Sequence, residues 1–310
     1  MSILREHGTA YLEMRRSLGY KLDGHGRLLM KFIGYLEDHA YGTVTTEAAM
    51  AWAAAPDGVT QYYRNQRLSV ARCFARYLSA FDPACQVPPN GLTGPPQPRP
   101  VPYLYSPQDI SAIIHAAGTL ASPLQAATFQ SLVSLLAASG MRPGEAIALD
   151  QGDIDLDGAL VTVHGKYDRT RLVPLHPRTV AMLHRYRDRR RHLCPAPASP
   201  AFFLSAAGTR LSGSRVDAVF AQLLVLAGVT APGTRPARVH GLRHSFAVAT
   251  LAGWYRDGAD VAAQMPLLSV FMGHAGPAST FYYLHAAPGL LGLAAQRLHE
   301  HQQQDRKEEP

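Results

Sequence analysis

From Pro88 to Pro107 the chain reads PPNGLTGPPQPRPVPYLYSP, and this stretch decides the architecture. Each proline fixes φ and removes a backbone donor, so the segment can be neither a helix nor a central strand. It reads as an extended linker over 88–104. Residues 1–87 lie on one side and 105–310 on the other, and each part is long enough for its own core.

The first part reads as all helix. One helix is expected near Thr9–Leu18, stopped by Gly19. A second covers Gly26–His39, with Leu28, Phe32 and Leu36 on one stripe. A third follows Thr45 and ends before Pro56. A fourth, Thr60–Ala80, turns Val70, Phe74 and Leu78 inward and carries Arg64, Arg67, Arg72 and Arg76 on its other faces.

The second part opens on a capped helix at Ser106-Pro107-Gln108-Asp109. The next helix, Gln125–Ser139, is apolar nearly all round and is therefore a buried one. MRPGEAIAL starts another. Leu160–Val163 and Arg171–Leu175 read as strands of a hairpin, turning through His164–Thr170. Helices are then expected from Pro177, over Ser214–Ala227, Gly241–Trp254 and Leu267–Met272, with a last one near Gly289–Gln304 before a charged tail. The fold class is mainly α with a small antiparallel β-sheet.

Composition narrows the chemistry. Hydrophobic residues make up 47% and charged residues 17% of 310, a globular balance. No window carries the roughly 18–20 apolar residues of a membrane helix, and MSILREHGTAYLEMRR lacks the order of a secretory signal. Cys73, Cys85 and Cys194 lie far apart, which fits a reducing cytoplasm and excludes a disulfide scaffold or a cysteine-rich zinc site. The net charge of +7 favours an anionic partner, nucleic acid first. Lysine occurs only at 21, 31, 166 and 307, and every other basic residue is arginine.

Five features stand out in order: Arg142 in GMRPGE, Lys166 in the hairpin turn, His240 and Arg243 in HGLRHSF, His274 in FMGHAG, and Tyr283 nine residues later. Singly, each has a plain structural reading: a surface ion pair, a solvated turn, a helix cap, core packing. Together they make a phosphate site. Two arginines can fork onto phosphodiester oxygens, histidines and a lysine can move protons, and a tyrosine can attack phosphorus. The acidic cluster of a two-metal nuclease is missing from the pattern.

This order resembles the tyrosine recombinase (phage integrase) family over nearly the whole chain. GMRPGEAIALDQGDIDL resembles the first family box and VHGKYDRTRLVPL the hairpin with its lysine. HGLRHSFA resembles the second box, and LLSVFMGHAGPASTFYYLH the last. The wording around the last box looks more like transposon-borne recombinases than Xer proteins. The resemblance implies a helical core-binding domain over 1–87 and a catalytic domain over 105–310. It implies Tyr283 as nucleophile, with Tyr282 as its rival, Arg142 and Arg243 as phosphate clamps, and Lys166 as acid to the leaving oxygen. His240 would assist proton transfer, His274 would bond a phosphate oxygen, and Glu145 would orient Arg142. No metal, ATP or other cofactor is implied. The implied partner is a double-stranded DNA recombination site, held by four protomers on two duplexes, with sister recombinases an option. The final helix would dock on a neighbour or on its own domain.

DNA affinity should come mainly from phosphate contacts on both domains. The candidates are Lys21, Arg64 and Arg67 in the first and Arg169, Arg171 and Arg215 in the second, whereas the Arg185–Arg191 run reads equally well as a solvated helix end. Three alternatives remain at this point. A type IB topoisomerase shares the chemistry but acts alone. A non-cleaving subunit would only position a sister recombinase. A metal hydrolase would use His240 and His244, four apart, although no glutamate follows His240 and no third ligand is evident.

Overall fold

Capping side chains set the helix starts in the first part of the chain. In the computed structural model, Ser2, Thr45 and Thr60 accept backbone N–H groups and open α1 (Ile3–Ser17), α3 (Thr46–Ala54) and α4 (Gln61–Leu78). The remaining helix of this group is α2 (Asp23–Asp38). Their apolar stripes meet around Phe32, Ile33, Leu36, Trp52, Phe74 and Leu78. The Phe32 and Trp52 rings lie 4.7 Å apart.

The structure describes residues 2–94, 102–165, 170–231, 237–274, 276, 280–283 and 292. Apart from Gly292, the expected last helix, Gly289–Gln304, lies outside the described residues, as do the charged tail, Lys166 and Arg169. The chain forms two compact units, Met1–Pro100 and Val101–Pro310. Among the described residues no helix is long and apolar enough to cross a membrane.

α1 starts six residues before the expected Thr9, because Gly8 does not break it. A Cβ at Gly8 would lie 2.2 Å from Ile33 Cδ1, so the glycine is there to let α1 approach α2 closely. Arg67 departs further from expectation. It is buried, with its guanidinium 3.8 Å over the Trp52 ring and donating to the Trp52 carbonyl. It is a packing residue of the bundle, not the exposed phosphate contact that its basic neighbours suggested.

The second unit is built on α6 (Pro123–Ser139), which is buried along its length. It packs against α5 (Pro107–Gly118), α8 (Pro177–Leu193) and α10 (Gly241–Arg256). Between them come α7 (Pro143–Ala148) and an antiparallel sheet of order β1-β2-β3. β2 (Leu160–His164) pairs with β3 (Thr170–Pro174) up to His164↔Thr170, and it buries Val161 and Val163. β1 (Ile154–Asp155) was not anticipated; two residues are too short to show alternation, and pairing with Val161 and Leu160 creates it. In α8, Arg190 is buried and donates to the Ala201 carbonyl, so the arginine run is not wholly solvated. α9 (Gly213–Leu226) follows.

α11 (Val261–Met272) begins six residues before the expected Leu267. Pro266 reads as a breaker in sequence, yet it lies inside the helix. Asp260 caps the start, and Val261, Met265, Leu268 and Met272 are buried at helical spacing, so burial outweighs the one lost N–H.

Phe74 is fully buried in the first unit. Phe74→Ala should destabilise that unit by about 3–5 kcal/mol, read as a lower urea midpoint at unchanged m-value.

Candidate active site

Arg243 lies one turn into α10 and is 2% exposed. Burying a guanidinium is costly unless its N–H groups are satisfied. Here Nη1 donates to the Gly140 carbonyl and Nη2 to the Met272 carbonyl, both at 2.7 Å. Gly140 caps α6 and Met272 ends α11, so the cation sits on the negative ends of two helices. The same guanidinium lies near Tyr283, and its charge favours the ionised form of that hydroxyl.

Arg142 stands at the N-cap of α7. Its backbone N–H donates to Glu145 Oε2 at 2.9 Å and its Nη1 to Glu145 Oε1 at 2.7 Å. Its Nη2 donates to the Gly273 carbonyl at 2.9 Å. A guanidinium has five N–H donors, so both arginines retain donors for an anion. The expectation that Glu145 grips Arg142 matches this geometry. Burial acts to raise the Glu145 pKa, but hydrogen bonds from Arg171 and Arg142 outweigh it and bring it down to about 2. Burial and the neighbouring Arg142 pull Arg243 down to about 10. Two crowded cations of this kind favour a negatively charged guest.

The imidazoles complete the cluster. His274 follows the α11 cap Gly273, and its Nδ1 shares a 2.6 Å hydrogen bond with the Thr280 hydroxyl, itself 2.7 Å from Ser269 Oγ. Nε2 is therefore the nitrogen left for a ligand oxygen. Burial and the charges of Arg243 and Arg142 lower His274 to about 4. His240, at the head of α10, is pulled below the ordinary histidine value by desolvation and by the same two arginines. Both imidazoles are neutral at pH 7. Tyr283 is 3% exposed in the helical residues 280–283; burial raises its pKa while Arg243 and Arg142 oppose the rise.

His244 is a participant that sequence reasoning considered only as a metal ligand. Its ring centroid is 5.0 Å from His240 and 5.4 Å from Tyr283. The i,i+4 spacing on α10 was the available signal. Tyr282 packs beside it, with ring centroids 6.3 Å apart. A second silent contributor is Tyr105. Its N–H donates to Ser245 Oγ at 2.7 Å and its hydroxyl to the Arg238 carbonyl at 2.9 Å, fixing the start of α10.

Arg142, Glu145, His240, Arg243, His274 and Tyr283 thus converge. Of the expected DNA contacts, Lys21, Arg64 and Arg215 are exposed. Arg171 is not an outward phosphate contact: it is folded into the site with a side chain only 15% exposed, bound to Glu145.

Convergence of arginines, imidazoles and a tyrosine on such a helical unit defines the class of tyrosine-type site-specific recombinases. The phage integrase family model matches residues 104–289. Over 308 residues the chain is 40% identical to the integrase/recombinase y4rB of Sinorhizobium fredii, covering 96% of this chain and 98% of that one. It is 32% identical over 283 residues to the tyrosine recombinase XerC of Mycobacterium bovis, covering 87% and 89%. The Tn1549 transposon integrase, solved with transposon right end DNA, has the same fold at a TM-score of 0.69 and 14% identity, over 96% of this chain and 99% of that one. The chain belongs to the phage integrase family.

His244 and His274 are held neutral in the folded chain, with pKa values near 4 against 6.5 when unfolded. As pH falls from 6.5 towards 4, the unfolded chain binds protons there that the folded chain refuses. Stability is full above that window and declines through it. Thermal melts across this range should show a falling Tm, with a shallower slope in His244→Gln.

Proposed function

We propose that the chain cuts and rejoins DNA through a 3′-phosphotyrosyl intermediate on Tyr283. The observation that carries this reading is buried Tyr283 packed between His244 and His274, with ring centroids 5.4 and 6.0 Å away, where the charges of Arg243 and Arg142 reach it. A phosphodiester entering there meets two guanidinium forks and a nucleophile together.

In the first step the Tyr283 oxygen attacks phosphorus and the bond to the 5′-oxygen breaks. The tyrosine proton passes to neutral His240, and Lys166 protonates the leaving 5′-oxygen. An unperturbed tyrosine is only about 0.1% ionised at neutral pH, and burial lowers that fraction further, so removal of the proton has to accompany attack. Arg142, Arg243 and His274 Nε2 stabilise the charge on the pentavalent phosphorus. The phosphotyrosine conserves the bond's energy. A 5′-hydroxyl from another strand then attacks it and frees Tyr283, without ATP.

Residues 1–87 act in this scheme as the core-binding domain, 88–104 as linker and 105–310 as the catalytic domain. Exposed Lys21, Arg64 and Arg215 bind backbone phosphates. Strand exchange between two duplexes calls for four protomers, of this chain or with sister recombinases. The substrate is a recombination site of a mobile element, met in the cytoplasm; a transposon integrase, that of Tn1549 bound to transposon right end DNA, has the same fold.

With a nicked suicide DNA, wild type should form a covalent adduct. Tyr283→Phe should abolish it while leaving binding near wild type, and Tyr282→Phe should retain it. An adduct lost only in Tyr282→Phe reverses the assignment. Lys166→Ala should cleave poorly, with recovery on a 5′-bridging phosphorothiolate, whose thiolate leaves unprotonated; without recovery Lys166 is not the acid.

A further inference from the structure

Arg171 belongs to the hairpin strand β3, yet its guanidinium leaves the sheet for the site. Nη1 donates to Glu145 Oε1 at 3.1 Å, Nη2 to Glu145 Oε2 at 2.8 Å, and Nε to the Phe271 carbonyl at 3.1 Å. All three nitrogens are committed. The group also lies flat on the turn that ends α11: a Cβ built on Gly273 would fall 2.6 Å from Arg171 Nη1. Gly273 is the residue whose carbonyl holds Arg142, and His274 follows it. One side chain therefore ties β3, α7 and the end of α11 together.

The charges matter as much as the contacts. Glu145 receives Arg142 on one side and Arg171 on the other. With Arg142 alone, the carboxylate would cancel the cation meant for the substrate. With Arg171 forked onto the same carboxylate, that charge is matched from the other side. Arg142, whose side chain is 41% exposed, then keeps its positive charge for an anion. We propose that Arg171 is a positioning residue for DNA cleavage, setting Glu145 and through it Arg142 against the scissile phosphate. This rests on the reading that Tyr283 cleaves DNA.

The test compares Arg171→Lys, Glu145→Gln and the double variant with wild type. Each is assayed at a temperature where circular dichroism shows it folded. Lysine keeps the charge but, as a compact ammonium, cannot reach all three acceptors. DNA affinity and its salt dependence are measured by mobility shift, and single-turnover adduct formation on the nicked substrate is timed. Arg171→Lys should bind as wild type and cleave about 100-fold more slowly, the scale of an ångström's misplacement. The double variant should lose far less than the product of the single losses. The inference is overturned if Arg171→Lys or Arg171→Ala cleaves at the wild-type rate once bound. It is also overturned if affinity falls with a salt slope reduced by about one, the mark of a lost phosphate contact, or if the losses multiply. Failure of wild type itself to form an adduct would instead remove the tyrosine reading.

Discussion

A buried arginine resting on the carboxyl ends of two helices organises the second unit. Arg243 cannot be removed from water unless carbonyls replace the water, and α6 and α11 supply them through Gly140 and Met272. Because Gly140 lies two residues before Arg142 and Met272 two before His274, meeting the needs of one guanidinium brings three chain segments into register. Packing of α10 on α6 and α11 holds the arrangement. The same contacts that make the burial tolerable gather the side chains of the candidate site.

The cluster carries a deliberate imbalance of charge. Arg142 and Arg171 pair with the one carboxylate, Glu145, Arg243 rests on carbonyls, and the neighbouring imidazoles are held neutral. A cluster of this kind carries an excess of positive charge, which an anion relieves. The neutrality of His240 follows first from burial and then from that same crowding, since the cations that favour an anion also discourage a protonated imidazole.

Much of this was legible in the sequence, and the reasons differ by element. Helices of the first unit announce themselves through caps and spacing, as at Thr45 and Thr60. Arg142, His240, Arg243, His274 and Tyr283 could be picked out as types in order, because few chemistries combine arginines, histidines and a tyrosine, and the structure brings these five together. What escaped depended on partners distant in sequence. The helix expected from Thr9 begins at Ile3 because Gly8 fits against Ile33, and the one expected from Leu267 begins at Val261 because the apolar face around Pro266 is buried. Arg67 and Arg171 look like any basic surface residue; only Trp52 in one case, and Glu145 with Phe271 in the other, reveal that they face inward. His244 needed Tyr283 beside it before its spacing from His240 acquired meaning.

The turn at Gly273 constrains how relatives can diverge. Its φ of +66° already disfavours other residues, and the space a methyl group would take is filled by Arg171. The two positions are therefore not free to drift separately. A lineage that acquires a bulkier residue at 273 must shorten the one at 171, and it then leaves Glu145 to a single cation. Paired change at these sites would mark recombinases that have rebuilt this corner of the fold by another route.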